Sequence, residues 1–200
     1  MKFIDLFSGI GGFRVALEKY GNKCVFSADF NKYACDTYSK NFNDYPLIDI
    51  QKYPEKKIPN HDILCAGFPC QPFSIGGKRK GFDDVRGTLF FDIVRILKEK
   101  KPKIFILENV RGLVNHNKGK TFKKIINILS NKVNNEHVKS SRENLGYNVF
   151  WKILNSKDYN IPQNRERVFI IGFKNPNINF EFPKKKLLKK SLNDLIDKQY

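Results

Sequence analysis

The chain has 200 residues, of which 40% are hydrophobic and 14% are aromatic. This length and composition suit one globular domain with a sizeable buried core, and they exclude a disordered chain. Lys and Arg number 37 against 20 Asp and Glu, so the formal net charge is +17. Such an excess favours a polyanionic partner such as nucleic acid, although a basic composition alone does not establish one.

The cysteines indicate a reducing compartment. There are four of them and no secretory signal precedes the first apolar run, which is typical of a soluble cytoplasmic protein. No apolar stretch approaches the roughly eighteen residues needed to cross a membrane. His61, Cys65 and Cys70 have no second close pair to complete a tetrahedral set, so we expect no zinc or other metal site.

Short apolar runs alternate with helical patterns along the chain, which predicts an α/β fold with a doubly wound, mostly parallel sheet. The predicted strands are Lys2–Leu6, Lys23–Ala28, Asp62–Ala66, Lys103–Leu107, Asn148–Leu154 and Arg167–Phe173. The predicted helices are Phe13–Tyr20, Lys32–Asn41, Leu89–Lys100 and Thr121–Val133. The polar stretch Asn131–Glu143 is interpreted as a loop or surface insertion. We expect residues 1–174 to form one domain and residues 175–200 to form a linker with a short helix from near Ser191.

The first predicted strand ends in a glycine-rich turn, Gly9 to Gly12, where the backbone can approach a ligand closely. Arg14 stands where a dinucleotide fingerprint requires a small residue, which argues against NAD. After the second strand, Asp29 could bond a ribose hydroxyl and Phe30 could lie against an adenine. Asp49 follows a third, very short predicted strand. Since open α/β sheets bind ligands at the carboxyl ends of their strands, these residues together predict a nucleotide-like cofactor.

The segment Gly67–Ser74 follows the third long strand and places Cys70 between two prolines. A free cysteine is usually a small buried hydrophobe. Here the Gly- and Lys-rich stretch that continues to Arg86 predicts an exposed, electropositive position, which favours a reactive thiolate. The same stretch is typical of a lid over nucleic acid.

Two further polar groups lie at strand ends. Glu108 closes the fourth predicted strand, where its carboxyl could share a proton with a bound base or serve a structural role. Arg165 and Arg167 lie at or just before the last strand, where alternate side chains point to one side. This placement suits a pocket, and a solvated charge cluster is the alternative.

These segments together resemble the DNA (cytosine-5)-methyltransferase family of bacterial restriction-modification systems. The matching motifs are Phe3–Phe13, Asp29-Phe30 and Asp49-Ile50 for the cofactor, Gly67–Ser74 for the Pro-Cys nucleophile, Glu108-Asn109-Val110, and Gln163–Arg167 for Gln-x-Arg-x-Arg. The resemblance implies a fold of the S-adenosylmethionine-dependent methyltransferase type. It also implies methyl transfer from S-adenosylmethionine to carbon 5 of a cytosine flipped out of double-stranded DNA.

The resemblance also implies residue roles. Cys70 would attack carbon 6, Glu108 would bond ring nitrogen 3 and the exocyclic amine, Arg167 would hold the carbonyl oxygen, and Arg165 would support the nucleophile or a nearby phosphate. The implied cofactor pocket comprises Phe7, Gly9, Ile10, Gly12, Asp29, Phe30, Asp49, Ile50, Gly67, Pro69 and Leu89. We expect DNA contacts from Gln71, Ser74, Lys78, Arg79 and Arg86.

The chain stops at Tyr200, about where the family's target-recognition domain would begin. We therefore expect either a split enzyme with a second polypeptide or a truncated chain. Two alternatives stay open. An RNA cytosine-5 methyltransferase of the same fold is equally compatible with the basic charge, and a non-catalytic half would retain the fold without the activity.

Overall fold

In the computed structural model, the described residues are 1–69, 89–134, 136–137 and 144–194. They contain eight strands: β1 Lys2–Leu6, β2 Lys23–Ala28, β3 Ile63–Gly67, β4 Ile104–Val110, β5 Ser130–Val133, β6 Glu136–His137, β7 Tyr147–Asn155 and β8 Glu166–Phe173. They also contain five α-helices: α1 Gly12–Glu18, α2 Lys32–Phe42, α3 Leu89–Lys100, α4 Gly112–Asn115 and α5 Lys120–Leu129.

The strands form one sheet in the order β2-β1-β3-β4-β8-β7-β5-β6. β1 to β4 run parallel to one another, and β8 runs antiparallel to both β4 and β7. The chain leaves β1 toward β2 on one side and returns to β3 on the other. This reversal creates a switch point between the carboxyl ends of β1 and β3, where open α/β sheets bind ligands.

Helices cover both faces of the sheet, which confirms the doubly wound, mostly parallel architecture. One face of β1, β3 and β4 packs under α3 and α5 through residues such as Leu64, Leu107 and Ile93. The opposite face packs Phe3 and Cys65 against Phe13 of α1. Strand residues alternate between the two faces because successive side chains of a strand point in opposite directions.

The predicted helix Thr121–Val133 is wrong at its end. Helix α5 stops at Leu129, where the Ser130 hydroxyl donates to the Ile126 carbonyl at 2.7 Å, and the next residues form β5. β5 runs parallel to β7, with Val133 opposite Val149, and β6 pairs with β5. The stretch interpreted as a polar loop therefore contributes two strands to the edge of the sheet.

Two smaller predictions also change. The short strand before Asp49 is reduced to an isolated bridge between Leu47 and Asp29. Where a helix was expected from Ser191, the described residues form a 3-10 turn at Leu192–Asp194, and residues 195–200 lie outside the described part. Within the described ranges, no helix has both the length and the apolar character that a membrane crossing requires.

Candidate active site

The glycine turn after β1 depends on left-handed backbone conformations. Phe7, Gly9 and Gly11 have φ values of 54°, 53° and 95°. A Cβ atom at Gly11 would lie 2.2 Å from Cε2 of Phe42 in α2, so the turn and α2 are packed too closely for a side chain there. Arg14 is accommodated because its side chain reaches α2 and beyond, donating to the Tyr38 hydroxyl at 3.1 Å and to Asp44 at 2.8 Å.

Asp29 braces this turn from the end of β2. Its Oδ2 accepts the Gly9 amide at 2.8 Å, and its Oδ1 accepts the Asn31 amide at 2.8 Å. The side chain is buried. Each carboxylate oxygen retains a second lone pair, so the brace is compatible with an additional hydroxyl donor. Asp29 therefore shapes the turn.

A cavity of about 190 Å³ opens beside the turn, at the carboxyl ends of β1 and β2. Its lining residues are Phe7, Ala28, Asp29, Phe30, Ile48, Asp49, Ile50, Gln51 and Leu89. Apolar side chains and two carboxylates thus share one concave surface, as in many cofactor sites. Phe30 stands at its rim with 67% of its surface exposed, which leaves an aromatic face free for stacking.

The structure brings together six of the eleven residues expected to hold the cofactor: Phe7, Asp29, Phe30, Asp49, Ile50 and Leu89. The other five, Gly9, Ile10, Gly12, Gly67 and Pro69, do not line this cavity. Ile10 is 62% exposed, and Gly12 begins α1 with open space where a Cβ would stand. The sequence pattern did not single out Ala28, Ile48 or Gln51, which line the cavity between the expected residues.

Two buried polar groups lie at this end of β1. Asp5 is fully buried, and the hydroxyl of Ser8 lacks a hydrogen-bond partner among the described residues. Burial raises the pKa of Asp5 well above its usual value, and the positive charge of Arg14 opposes this only in part. An orphaned Ser8 hydroxyl beside the glycine turn is a group that a bound ligand could satisfy.

A second polar pair lies where β4 meets β8. The register places Val110 opposite Arg167 at the edge that carries the glycine turn. Arg167 Nε lies 2.8 Å from Glu108 Oε1, and each side chain is 23% exposed. Glu108 Oε2 faces the end of β3, since it would lie 3.6 Å from a Cβ at Gly67. A charged pair in partial contact with solvent can present a carboxylate and a guanidinium to one ligand.

Asn109 links this pair to the strand that leads to Cys70. Its Nδ2 donates to the Phe68 carbonyl at 2.8 Å, and its Oδ1 accepts the Val110 amide at 2.8 Å. The side chain is only 2% exposed, so the loss of either bond would leave a buried polar group unsatisfied. Asn109 fixes the end of β3 against the end of β4. The sequence pattern gave it no role, although its place beside Glu108 was a signal.

Arg165 does not share the Glu108 pair. The residue is exposed, and its backbone is fixed by Asn155, whose Oδ1 accepts the Arg165 amide at 3.1 Å. Asn155 also donates to Asn164 at 2.6 Å. The expectation that both arginines face one pocket is supported for Arg167 by its contact with Glu108, whereas Arg165 presents its charge to solvent.

The remaining expected site residues lie outside the described part of the chain. They are Cys70, the expected nucleophile, and the residues expected to contact DNA, Gln71, Ser74, Lys78, Arg79 and Arg86. The described segment reaches Pro69, which follows the end of β3 at the same sheet edge as the glycine turn.

Comparison with known proteins gives a consistent picture. The C-5 cytosine-specific DNA methylase family matches residues 1–200. Type II methyltransferase M.HhaI of Haemophilus parahaemolyticus is 50% identical over 198 residues, which cover 98% of this chain and 57% of that protein. M.DsaV of Dactylococcopsis salina is 46% identical over 202 residues, covering 100% of this chain and 54% of that protein. The chain thus spans little more than half the length of these relatives.

Solved structures share the fold. A Dnmt2 methyltransferase of S. pombe superposes with a TM-score of 0.67 at 24% identity, covering 91% of this chain and 53% of that one. A putative DNA modification methyltransferase encoded within a prophage of E. coli superposes with a TM-score of 0.66 at 26% identity. It covers 87% of this chain and 47% of the other.

Proposed function

Because the chain belongs to the C-5 cytosine-specific DNA methylase family, we propose that it forms the cofactor-binding and catalytic part of an enzyme that methylates carbon 5 of cytosine in DNA. Residues 1–174 would form this part, and residues 175–200 would lead toward a target-recognition domain. The observation that carries the proposal is the Glu108–Arg167 pair at 2.8 Å, held beside the strand that leads to Cys70.

The cavity beside the glycine turn would hold S-adenosylmethionine. Phe30 would stack on the adenine, Asp29 and Asp49 would accept hydroxyl or amine donors, and Phe7, Ile50 and Leu89 would supply apolar surface. The orphaned Ser8 hydroxyl supports a polar ligand group near the turn. When bound, S-adenosylmethionine supplies an electrophilic methyl group.

Cytosine needs activation before its carbon 5 can accept that group. Addition of the Cys70 thiolate to carbon 6 would form a carbon–sulfur bond and place electron density on carbon 5. Loss of the carbon 5 proton and departure of Cys70 would later restore the ring. A stacked base cannot be reached from this edge of a sheet, so the cytosine would be flipped out of the duplex.

Glu108 and Arg167 would hold the flipped base. The carboxyl would bond ring nitrogen 3 and the exocyclic amine, and the guanidinium would bond the carbonyl oxygen, where negative charge develops as the thiolate adds. Their mutual contact fixes both groups before the base arrives. The exposure of Arg165 supports contact with a phosphate rather than with the nucleophile.

The relatives support a role in a restriction-modification system, since both are named Type II methyltransferases. Because the chain spans 57% and 54% of them, the rest of the enzyme would come from further sequence or from a second polypeptide. That portion would read the target sequence.

The test is a Cys70→Ser variant, because a hydroxyl is a far weaker nucleophile at neutral pH. We expect transfer of tritiated methyl groups to duplex DNA to fall below detection, while calorimetry shows S-adenosylmethionine binding within about twofold of the parent. Both proteins are assayed as complete enzymes, with the further sequence or the second polypeptide that supplies the remaining part. Equal transfer by parent and variant would remove Cys70 from the mechanism.

A labelled tRNA substrate runs beside the duplex DNA. Methyl transfer to tRNA and none to DNA would replace the proposed substrate with RNA. Binding of S-adenosylmethionine without transfer to either nucleic acid would identify a non-catalytic half.

A further inference from the structure

A lysine-rich segment lies after β8, and aromatic residues between the two anchor the chain to the sheet. Lys184–Lys190 contains five lysines, all exposed; they are Lys184, Lys185, Lys186, Lys189 and Lys190. We refer to residues 184–190 as the lysine segment. Upstream, Phe180 packs against Phe150 of β7 and Phe173 of β8, with ring centroids 5.6 Å and 5.5 Å apart. The lysine segment thus leaves the sheet from a fixed point.

The backbone of the lysine segment is held against residues 156–161. Lys186 donates its amide to the Asp158 carbonyl at 2.7 Å. Asn160 has a φ of 65°, and its Oδ1 accepts the amides of Lys189 at 2.8 Å and Lys190 at 3.2 Å. Lys185 pairs with Asp158 at 2.8 Å. These contacts distinguish the segment from a freely solvated tail, because backbone bonds orient it while its side chains remain in water.

The lysine segment is held near the sheet edge that carries Glu108 and Arg167. The turn at Ser156–Asp158 directly follows β7, and β7 ends at the edge where Glu108 meets Arg167. Ser156 donates its amide to the Arg165 carbonyl at 3.1 Å. The exposed cations Lys157 and Arg165 therefore continue the row of lysines toward the proposed base pocket.

We propose that the lysine segment is a phosphate-contacting surface for the duplex that flanks the flipped cytosine. Seven extended residues reach at most roughly 25 Å, enough to meet several successive phosphates of one strand. Lys185 is neutralised by Asp158, so Lys184, Lys186, Lys189 and Lys190 supply the contacts. This inference rests on the proposed action on DNA and adds a surface outside the Gly- and Lys-rich stretch after Cys70.

The test replaces Lys184, Lys186, Lys189 and Lys190 with Gln and follows binding of a labelled duplex across a series of salt concentrations. The slope of log affinity against log salt concentration is negative, and each lost phosphate contact makes it shallower by about 0.9. For four lost contacts we expect the slope to become shallower by roughly 3.6 units and the low-salt affinity to fall at least tenfold.

The matched control removes the same charge from the opposite edge of the sheet, where the parallel strands begin. Lys19, Lys23, Lys98 and Lys101 are exposed there, and their replacement by Gln should change the slope by less than about 1 unit. Asn160→Gly keeps the left-handed backbone but removes the amide acceptor, so it should weaken binding without changing the charge.

Equal losses of duplex affinity and of salt slope in the two quadruple variants would show that net charge alone acts. An unchanged slope in the variant of the lysine segment would show that the segment contacts no phosphate. Either result would overturn this inference and leave the proposed action on DNA in place. Tighter retention of an RNA duplex than of a DNA duplex by the lysine segment would overturn the assignment to DNA. If the parent binds no duplex at any salt concentration, the proposed action on DNA fails first.

Discussion

The two halves of the proposed site are built differently, although they share one edge of the sheet. The cofactor half uses left-handed glycines and a carboxylate that braces the backbone, with Asp29 bonded to Gly9 at 2.8 Å. The cytosine half uses side chains brought together by strand pairing, with Arg167 bonded to Glu108 at 2.8 Å. The first half depends on the conformation of one turn, and the second depends on the register of β4 with β8. Substitutions in the cytosine half should therefore affect methyl transfer, and substitutions in the cofactor half should affect folding and cofactor binding.

The largest expected effect is on the chemistry of the cytosine half. Glu108→Gln retains the shape of the side chain but removes its charge, so it weakens the pair with Arg167 and changes the groups offered to ring nitrogen 3. We expect methyl transfer to slow by roughly 10²–10⁴-fold, with cofactor affinity within about twofold.

Glu166→Gln is the matched control for this substitution. Glu166 pairs with Arg111 at 2.6 Å near the same edge, but that pair is more exposed than the Glu108–Arg167 pair. Exposed ion pairs contribute little to stability. Comparable losses in the two variants would show that the effect comes from charge near the edge rather than from contact with the base. Rates at saturating cofactor decide between these outcomes.

A smaller effect, on folding and cofactor binding, is expected from the turn of the cofactor half. Gly11→Ala forces a Cβ to within 2.2 Å of Phe42 at a φ of 95°, which should lower the free energy of unfolding by roughly 2–4 kcal/mol. Gly9→Ala meets nothing within 4 Å, so backbone strain alone should lower it by about 1 kcal/mol. Denaturant titration measures both. A Gly9 variant as unstable as the Gly11 variant would contradict the close packing of the turn on α2.

The smallest effect concerns Asp5, beneath the turn. Burial raises the pKa of this carboxyl, so the folded state holds the proton more tightly than the unfolded state. Stability contributed by the protonated group is therefore present below the unfolded pKa and is lost as pH rises through the folded pKa. Asp5→Asn removes this titration, and we expect it to be more stable than the parent at pH 8 by about 1 kcal/mol or more.

At low pH we expect the parent and the Asp5→Asn variant to have similar free energies of unfolding. Near pH 4 the Asp5 carboxyl of the parent is protonated in the folded state, so the difference in unfolding free energy between parent and variant should shrink toward zero. A difference that stays constant between pH 4 and pH 8 would contradict a buried, titrating Asp5.

More of the cofactor half than of the cytosine half could be predicted from the sequence. β1, β2 and α3 lie at the predicted bounds, because apolar runs and glycine turns are local signals. Asp29, Phe30 and Asp49 could be placed near one cavity since parallel strands end at one edge. The tie from Asn109 to Phe68 joins residues 41 positions apart, and no local pattern specifies it. β5 was missed for the same reason: Ser130–Val133 is polar and becomes a strand only by pairing with β7.

In the proposed mechanism, this sheet edge would deliver Cys70 to a flipped cytosine. A duplex with 5-fluorocytosine at the target position tests it most directly, because fluorine blocks loss of the group at carbon 5 and traps the adduct. With S-adenosylmethionine and the complete enzyme, we predict a stable protein–DNA complex whose digestion yields a nucleotide attached to the peptide containing Cys70. An adduct on another residue, or methylation of unmodified duplex without any trapped complex, would contradict the proposed role of Cys70.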